Sequence, residues 1–365
     1  MTLGGGSGDA WVLGVDSGGS GVRFALGRAE GGGPAEVSVS GEPVRTGRAG
    51  IDAEHLLAQL VPAAGELLDR TGADRVAAVA VGAAGMASLG DDLRARVPAA
   101  LARALGVRRL ALAADAVSAY AGALGQRPGA VVAAGTGMIA VGTDLTRWRR
   151  ADGWGHLLGD CGGGAWIGRA GLEAALRAHD GRRGGSAALL ERAEALFGPV
   201  AELPGLLYPR TDRPAVLASF APEVARCAAS DPVAAAVLRE AARAIAESAA
   251  AVCPDVVSGG DRGRAAGSAS GPAGATVARG TAGDGAAGSV SECEVALTGG
   301  LFRMGDPLLV PVREELDALL PSVRTVPAAG DPLAGALLIA SALARDELRL
   351  PHHPRMLRVT TERDT

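Results

Sequence analysis

Two glycine-rich turns, each between two short apolar segments, constrain the fold of this chain more than any other sequence feature. The first turn, SGGSG, separates WVLGVD (11–16) from VRFALG (22–27). The second is centred on Gly137 and separates VVAAGT (131–136) from MIAVGT (138–143). Apolar segments joined by a tight glycine turn predict β-hairpins. Two such hairpins, roughly 120 residues apart, suggest an internal duplication.

Strand and helix patterns alternate along the rest of the chain, which predicts an α/β protein. Further strands are expected at 76–82, 109–115 and 294–300. Helices are expected at 53–70, 91–105, 165–180, 233–253 and 332–347. A chain of 365 residues suits two domains.

The domain boundaries follow from these patterns and from composition. We expect an N-terminal domain at 1–125, a C-terminal domain at 126–350 and a loosely ordered tail at 351–365. The stretch 258–291 is rich in Gly, Ala and Ser and has no aromatic residue. Such a stretch buries too little apolar surface to offset its chain entropy, so we expect a disordered surface insertion.

The chain contains no lysine, and this absence excludes several functional classes. A P-loop ending in GK[ST] is impossible, as are a protein-kinase strand lysine and a lysine Schiff base. Net charge is −4 and aromatic residues make up 3% of the chain, which argues against a nucleic-acid partner. Any bound nucleotide phosphate must therefore be held mainly by backbone amides and metal.

The four cysteines form no CxxC pair and no metal-ligand spacing with histidine. A reducing, cytoplasmic location fits this pattern best. The N-terminus, MTLGGGSGDA, lacks the charged and apolar regions of a signal peptide. The longest apolar stretches are too short and too glycine-broken to span a membrane, so no membrane partner is expected.

Asp16 ends the first apolar segment and is followed at once by the first glycine turn. Glycines let backbone N–H groups approach an anion, and Ser17 and Ser20 add hydroxyl donors. Asp16 can hold a hydrated Mg²⁺ beside phosphates bound there. The same residues also fit an ordinary hairpin with an aspartate at its corner, and the segment alone leaves both interpretations open.

The second turn contains Gly135-x-Gly137-x-x-Ala140, a form of the dinucleotide-binding fingerprint. That fingerprint requires a helix after the turn, whereas MIAVG predicts a returning strand. A second phosphate-binding hairpin with Thr136 at its tip therefore fits better.

Asp115 lies between the two hairpins, at the end of a predicted strand. A carboxylate in that position points into the ligand crevice of an α/β domain. The alternative is an N-cap for a helix over 116–124.

The segment GWGHLLGDCGGGAWIG (153–168) combines seven glycines with two tryptophans, His156 and Asp160. A tryptophan face beside a carboxylate is a usual means of gripping a sugar; a glycine-rich loop over a core tryptophan is the alternative. His156 has no partner at metal-ligand spacing, so we expect it to be structural.

Gly299 and Gly300 follow a buried strand and can let adenine lie against the backbone, or simply form a turn.

Taken in order, these segments resemble the BadF/BadG/BcrA/BcrD-type ATPase family, and most of all its N-acetylglucosamine kinase branch. The resemblance covers 12–345 without the insertion and rests on VDSGGSGVR, VGAAGM, AADAVSAY, AAGTGMIAVG, GWGHLLGDCGGGAWIG and LTGGLF. It implies a two-domain actin-like ATPase fold of the ribonuclease H-like type. Duplicated βββαβαβα domains would flank a cleft, with the last helix packing back toward the N-terminal domain.

The resemblance also implies roles for individual residues. Asp115 would be the catalytic base that deprotonates the sugar 6-hydroxyl, with ATP and Mg²⁺ as cofactors and Asp16 holding the metal through water. The ATP phosphates would lie on Gly18, Gly19, Ser20, Gly135, Thr136 and Gly137. The adenosine would lie on Gly299 and Gly300. The sugar would contact Gly85, Asp115, Gly153, Trp154, Asp160 and Gly164.

Three departures from the family pattern leave the sugar open. Cys161 replaces the usual glutamate after the signature aspartate, and Ser20 replaces a frequent threonine. The loop 44–50 lacks the asparagine of the sugar kinases and carries Arg45 and Arg48 instead. N-acetylglucosamine is the first expectation, because Gly163–Gly164 would leave room for its N-acetyl group; glucosamine, N-acetylmuramate and glucose are the alternatives.

Two other functions stay open. One is an ATP-hydrolysing activator of an acyl-CoA dehydratase, which would need cysteines for an Fe–S cluster. The other is a non-catalytic sugar or nucleotide sensor. We expect the partners to be an amino sugar and ATP, and the assembly to be a homodimer.

Overall fold

The structure is a computed structural model that describes residues 10–19, 21–31, 33–47, 50–254 and 293–361. The predicted insertion at 258–291 lies outside these ranges. The strands are β1 (Trp11–Gly18), β2 (Gly21–Arg28), β3 (Pro34–Ser40), β4 (Thr46–Gly47), β5 (Gly50–Ile51), β6 (Val76–Ala83), β7 (Arg109–Ala114), β8 (Gly129–Ala134), β9 (Met138–Thr143), β10 (Trp148–Asp152), β11 (Cys293–Thr298), β12 (Val323–Pro327) and β13 (Leu357–Thr361).

The helices alternate with these strands. They are α1 (Ala53–Thr71), α2 (Met86–Leu89), α3 (Asp91–Leu105), α4 (Asp115–Leu124), α5 (Gly164–His179), α6 (Ala187–Phe197), α7 (Leu203–Leu207), α8 (Arg213–Ser219), α9 (Ala221–Cys227), α10 (Pro232–Val252), α11 (Asp306–Leu319) and α12 (Pro332–Ala344). Local signals set their ends, as α1 illustrates. The Asp52 side chain accepts the amides of Glu54 and His55 at its start, and Gly72 ends it with φ of 66°.

Two sheets repeat one strand order. The first sheet runs β13-β7-β6-β1-β2-β3 and the second runs β10-β9-β8-β11-β12. In each, three consecutive antiparallel strands are followed by two parallel ones reached through helices. The predicted α/β fold with two duplicated βββαβαβα units, of the actin-like type, is confirmed.

The chain has two hydrophobic cores, and α12 belongs to the first, which joins the first sheet to one face of the second through Val131, Val141 and Ala296. Leu337 and Ile339 of α12 are buried with Leu13 of β1 and Leu60 of α1. The second core contains residues of α5, α9 and α10 against β8 and β11. The chain therefore leaves the second sheet at β12 and returns to the first sheet through α12.

Glycines let α12 approach its neighbours closely. A Cβ at Gly335 of α12 would overlap the carbonyl oxygen of Ser118 and the amide of Gly122, both in α4. A Cβ at Gly14 of β1 would lie 2.6 Å from the backbone nitrogen of Leu337. Real side chains do not fit at such distances, so the crossing depends on backbone-to-backbone contact.

The tail prediction is wrong up to Thr361. Residues Leu357–Thr361 form β13, which pairs antiparallel with β7 at the edge of the first sheet. The apolar Met356 and Leu357 are buried. Their burial and the hydrogen bonds to β7 order the segment, although its polar neighbours had suggested a loose tail. The edge strands β3 and β10 and the helices α6 to α9 were also absent from the sequence expectations.

In the described ranges we find no helix with the length and apolarity needed to cross a bilayer.

We predict that Gly335→Ala lowers the free energy of unfolding by about 2–3 kcal/mol, because the added methyl forces α4 and α12 apart. Gly65→Ala in α1 is the matched control, since a Cβ there meets nothing within 4 Å. That variant should gain up to about 1 kcal/mol from helix propensity alone. Urea unfolding of both variants gives the measurement; a Gly335→Ala protein as stable as wild type would contradict the packing described.

Candidate functional site

A cleft of about 820 Å³ opens between the two sheets, where both glycine turns meet the end of β7. The sequence-predicted site residues that line it are Gly18, Gly19, Gly85, Asp115, Gly135, Thr136, Gly137, Gly153, Asp160 and Gly299. Those absent from its lining are Asp16, Trp154, Gly164 and Gly300. Ser20 lies outside the described residues. Segments far apart in sequence therefore converge on one cavity.

Both turns present bare backbone to this cleft. A Cβ at Gly18, Gly19 or Gly135 would meet nothing within 4 Å. The second turn is held by a hydrogen bond from the Gly135 amide to the Gly137 carbonyl, at 2.9 Å. Open space beside the backbone of both turns is what a phosphate group requires from a protein without lysine.

The second turn also anchors the start of α5. The amide of Gly164 donates to the Gly135 carbonyl at 2.9 Å, and the amide of Ala165 donates to the Thr136 carbonyl at 2.8 Å. A Cβ at Gly163 would lie 2.7 Å from the carbonyl carbon of Gly137. The backbone of the turn thus fills the space beside Gly163–Gly164, so the expectation that this step accommodates an N-acetyl group is wrong.

Asp115 lies at the floor of the cleft, as the first residue of α4 and directly after β7. Its Oδ1 accepts the amide of Ala116 at 2.9 Å. Burial raises the pKa of this carboxyl to about 6; Asp16 also raises it, whereas the Ala116 amide and Arg150 lower it. The N-cap position itself is Ala114, with no side-chain capping bond. The carboxylate therefore remains directed at the cleft with a pKa suited to accepting a proton near neutrality.

Asp16 is engaged by an arginine. Nε and Nη2 of Arg23 donate to its Oδ2 at 3.1 and 2.6 Å, and Nη1 donates to Asp331 at 2.6 Å. Asp331 caps α12 by accepting the Ala334 amide at 2.9 Å. Burial raises the pKa of Asp16 and the Arg23 interactions oppose that rise. One guanidinium thus ties the strand beside the first turn to the start of α12.

The segment after β10 carries an exposed tryptophan. Trp154 is 66% exposed, and Leu157 and Leu158 beside it are 78% and 85% exposed. The Arg150 guanidinium lies 4.5 Å from the centre of the Trp154 ring. Its Nη2 donates to the Gly153 carbonyl at 2.5 Å. Trp154 therefore lies between two cleft-lining residues, Gly153 and Gly155, with a cation stacked on its exposed ring.

Arg150 is a cleft residue that sequence reasoning missed. It lies close enough to lower the pKa of both Asp115 and Asp160. The only available signal was the last arginine of the basic run RWRR (147–150), three positions before the GWG segment, and that signal is weak. It became visible only when β10 was placed at the edge of the second sheet.

Asp160 joins the tryptophan segment to the second turn. Its Oδ1 accepts the Gly155 amide at 2.8 Å. A Cβ at Gly137 would overlap its Oδ2. Burial raises the pKa of Asp160, and Asp152 raises it further against the Gly155 hydrogen bond. Burial and then Asp152 likewise raise the pKa of the neighbouring Cys161 thiol, which disfavours a thiolate there.

The glycine pair after β11 is divided between two environments. Gly299, with φ of 107°, lines the cleft, and a Cβ there would overlap the Ala134 carbonyl. Gly300 begins a short 3-10 turn (Gly300–Met304) beneath the Arg303 guanidinium. Only the first glycine of the pair therefore faces the ligand space.

Comparison with known proteins identifies one family and several similar proteins. The model of the BadF/BadG/BcrA/BcrD ATPase family matches residues 13–277. The N-acetylmuramic acid/N-acetylglucosamine kinase of Clostridium acetobutylicum is 40% identical over 82 residues, which is 22% of this chain. The matched segment spans 27% of that relative's length.

Solved structures share the fold across nearly the whole chain. A candidate N-acetylglucosamine kinase from Chromobacterium violaceum is 24% identical with a TM-score of 0.62, over 91% of this chain and 99% of that one. A second from Porphyromonas gingivalis is 15% identical with a TM-score of 0.61, over 93% and 100%. A ROK family glucokinase from Streptomyces griseus is 20% identical with a TM-score of 0.51, over 92% and 100%.

We predict that Asp115→Asn makes the folded protein more stable at neutral pH. Because folding raises this pKa from 3.8 to about 6, the stabilising contribution of the protonated carboxyl is complete below pH 3.8 and is lost as pH rises through 6. The asparagine variant avoids that loss, so its advantage should grow to at most about 3 kcal/mol by pH 7. Urea unfolding of both proteins from pH 4 to pH 7.5 measures the difference; a pH-independent difference would contradict the burial of this charge.

Proposed function

Because the chain belongs to the BadF/BadG/BcrA/BcrD ATPase family, we propose that it transfers the γ-phosphate of ATP to the 6-hydroxyl of an amino sugar. The observation that carries this proposal is the position of Asp115. Its carboxylate lies at the floor of a cleft flanked by two glycine turns with exposed backbone. Phosphoryl transfer needs this pairing of a base with a phosphate cradle.

In the proposed reaction Asp115 accepts the proton of the sugar hydroxyl as its oxygen attacks the γ-phosphorus. The new O–P bond forms while the bond to the β-phosphate oxygen breaks, and ADP leaves. Since the transition state is loose, the proton moves late and a carboxylate of modest basicity suffices. Amides of the turns at Gly18–Gly19 and Thr136–Gly137 would hold the phosphates, with Gly135 leaving space beside them, and Gly299 would face the adenosine.

Magnesium fits this cleft as an ion held mainly by phosphates and water. Among the described residues no group of three His, Cys, Asp or Glu side chains could form a protein cage for it. Asp16 commits Oδ2 to Arg23, which leaves Oδ1 for a metal-bound water. Magnesium would supply charge neutralisation on the phosphates, which backbone amides alone provide only in part.

The sugar class rests on the cleft mouth and on the relatives. Trp154 and Asp160 supply a ring face and a carboxylate, a combination that suits a sugar's apolar face and hydroxyl rim. The Clostridium relative is named for N-acetylmuramic acid and N-acetylglucosamine, which supports an amino sugar. N-acetylglucosamine is the first candidate, and glucosamine, N-acetylmuramate and glucose are the alternatives.

The dehydratase-activator alternative finds little support in the cysteines. Cys227, Cys253 and Cys293 are buried in the second core. Cys161 is half-buried and its thiol faces Asp152. An Fe–S cluster shared between subunits needs thiolates at a surface, whereas these positions favour neutral thiols.

We predict that Asp115→Asn lowers kcat by about 10²–10⁴ and leaves ATP binding almost unchanged, since only the proton acceptor is lost. In the wild type kcat/KM should fall as pH drops below about 6, where this carboxyl becomes protonated. Steady-state rates and calorimetric binding of a non-hydrolysable ATP analogue measure the two effects. Retention of more than half of wild-type turnover would remove Asp115 from the role of base.

We predict that initial rates with ATP and Mg²⁺ follow the order N-acetylglucosamine, glucosamine, then glucose. A missing substituent contact changes discrimination by about 1–3 kcal/mol, so glucose should be a poor but measurable substrate. N-acetylmuramate belongs in the same panel at equal concentration. If glucose is fastest the amino-sugar assignment fails, and if no sugar is phosphorylated a sensor becomes the better interpretation.

A further inference from the structure

The last residue of β10 holds the far end of the tryptophan segment. Asp152 ends the strand, and the chain then runs outward through Trp154 and the exposed leucines before it returns. On its return the Asp160 amide donates to Oδ1 of Asp152 at 2.6 Å, and the Cys161 amide donates to Oδ2 at 2.9 Å. One carboxylate therefore closes the segment 153–161, called here the signature loop.

We propose that Asp152 is a positioning residue for the sugar site, which fixes the signature loop and thereby aims Asp160 at the cleft and holds Trp154 beside it. This inference rests on the proposed function for its effect on sugar affinity. Asp152 itself would touch neither sugar nor ATP, because both of its carboxylate oxygens are occupied by loop amides. Ionised acceptors form stronger hydrogen bonds than neutral ones, which suits a clamp of this kind.

The backbone at both ends of the clamp is strained in the same way. Asp152 has φ of 58° and Asp160 has φ of 56°, two of the few residues other than glycine with positive φ in the described ranges. Such conformations persist where surrounding contacts over-determine them, and they cluster at functional sites. Here the contacts are the two hydrogen bonds to the Asp152 carboxylate, of which the one from the Asp160 amide links the strained residues directly.

The loop leaves space for this carboxylate at one position. A Cβ at Gly159 would overlap Oδ1 of Asp152 and would lie 3.0 Å from the Cβ of Trp154. The glycine thus lets the carboxylate reach the amides and lets the loop pack on the tryptophan. The Asp152 carbonyl accepts Nε of Arg150 at 3.0 Å, so the cation that stacks on Trp154 is tied to the same residue.

The clamp reaches the cleft through Asp160. With its backbone fixed by Asp152, Asp160 directs Oδ1 to the Gly155 amide and Oδ2 against Gly137 of the second turn. Loss of the Asp152 carboxylate would free the Asp160 backbone and misdirect its side chain. The phosphate turns would be affected less, because α5 holds the second turn through the amides of Gly164 and Ala165.

The experiment compares Asp152→Gly and Asp152→Asn with Asp144→Asn. Glycine keeps the left-handed backbone free of strain and removes only the carboxylate. Asparagine keeps the shape and one acceptor oxygen. Asp144 is the matched control, since on the neighbouring turn its Oδ1 accepts the amides of Thr146 and Arg147 at 2.9 and 3.0 Å, away from the cleft.

The first measurement is hydrogen–deuterium exchange of peptides covering 156–163, made without sugar or ATP. We expect exchange at the Asp160 and Cys161 amides to be at least tenfold faster in Asp152→Gly, intermediate in Asp152→Asn and unchanged in Asp144→Asn. Unchanged exchange in Asp152→Gly would overturn the clamp. This readout does not depend on turnover, so it decides the structural claim even if the wild type phosphorylates no sugar and the proposed function fails.

The second measurement separates positioning from general destabilisation. In Asp152→Gly the KM for N-acetylglucosamine should rise at least tenfold while the KM for ATP stays within twofold. Asp152→Asn should recover part of the sugar affinity, and Asp144→Asn should match wild type. Equal increases in both KM values, or a wild-type sugar KM in a folded Asp152→Gly protein, would show that Asp152 does not position the sugar site. If Asp152→Gly does not fold, the same comparisons apply to Asp152→Asn.

Discussion

The close crossing of α12 over β1 and α4 is the contact on which the rest of the structure depends. It is made by backbone against backbone, since Gly14 and Gly335 leave no room for a side chain. The chain enters α12 directly from the second sheet, and Asp331 at that entry binds Arg23 of the first sheet. Because α4 begins with Asp115, the packing that joins the two sheets also places the cleft carboxylate between the glycine turns.

The cleft concentrates acidic groups at some expense of stability. Burial raises the pKa of Asp16, Asp115 and Asp160 in and beside the cleft, because it disfavours the charged form of each carboxyl. In a chain without lysine the compensating charges come from arginine. Arg23 binds Asp16, and Arg150 lies near the other two. Such a cluster of buried carboxylates is typical of a functional site. A core selected for stability alone would contain apolar side chains in their place.

The fold was predictable wherever sequence signals were local. The two hairpins and the helices α1, α3, α5, α10 and α12 follow from apolar period and glycine turns, whereas the duplicated strand order came from the family resemblance. The edge strands β3, β10 and β13 were missed, because half-exposed strands carry weak alternation and depend on a neighbour for their hydrogen bonds. The segment Leu357–Thr361 shows this most clearly, since β7 pairs with its whole length and only an isolated bridge to His353 adds to that pairing.

The sequence by itself determined which backbone could approach an anion, that no lysine would bind the phosphates, and that Asp115 would lie where a strand ends, between the two glycine turns. The tertiary structure decided which partner each side chain of the site contacts. In the structure Asp16 accepts hydrogen bonds from Arg23, and the backbone of the second turn fills the space beside Gly163–Gly164. Arg150 and Asp152 contact the signature loop. Those outcomes depend on distances between residues remote in sequence or separated by a loop, and pattern and composition carry no information about such distances.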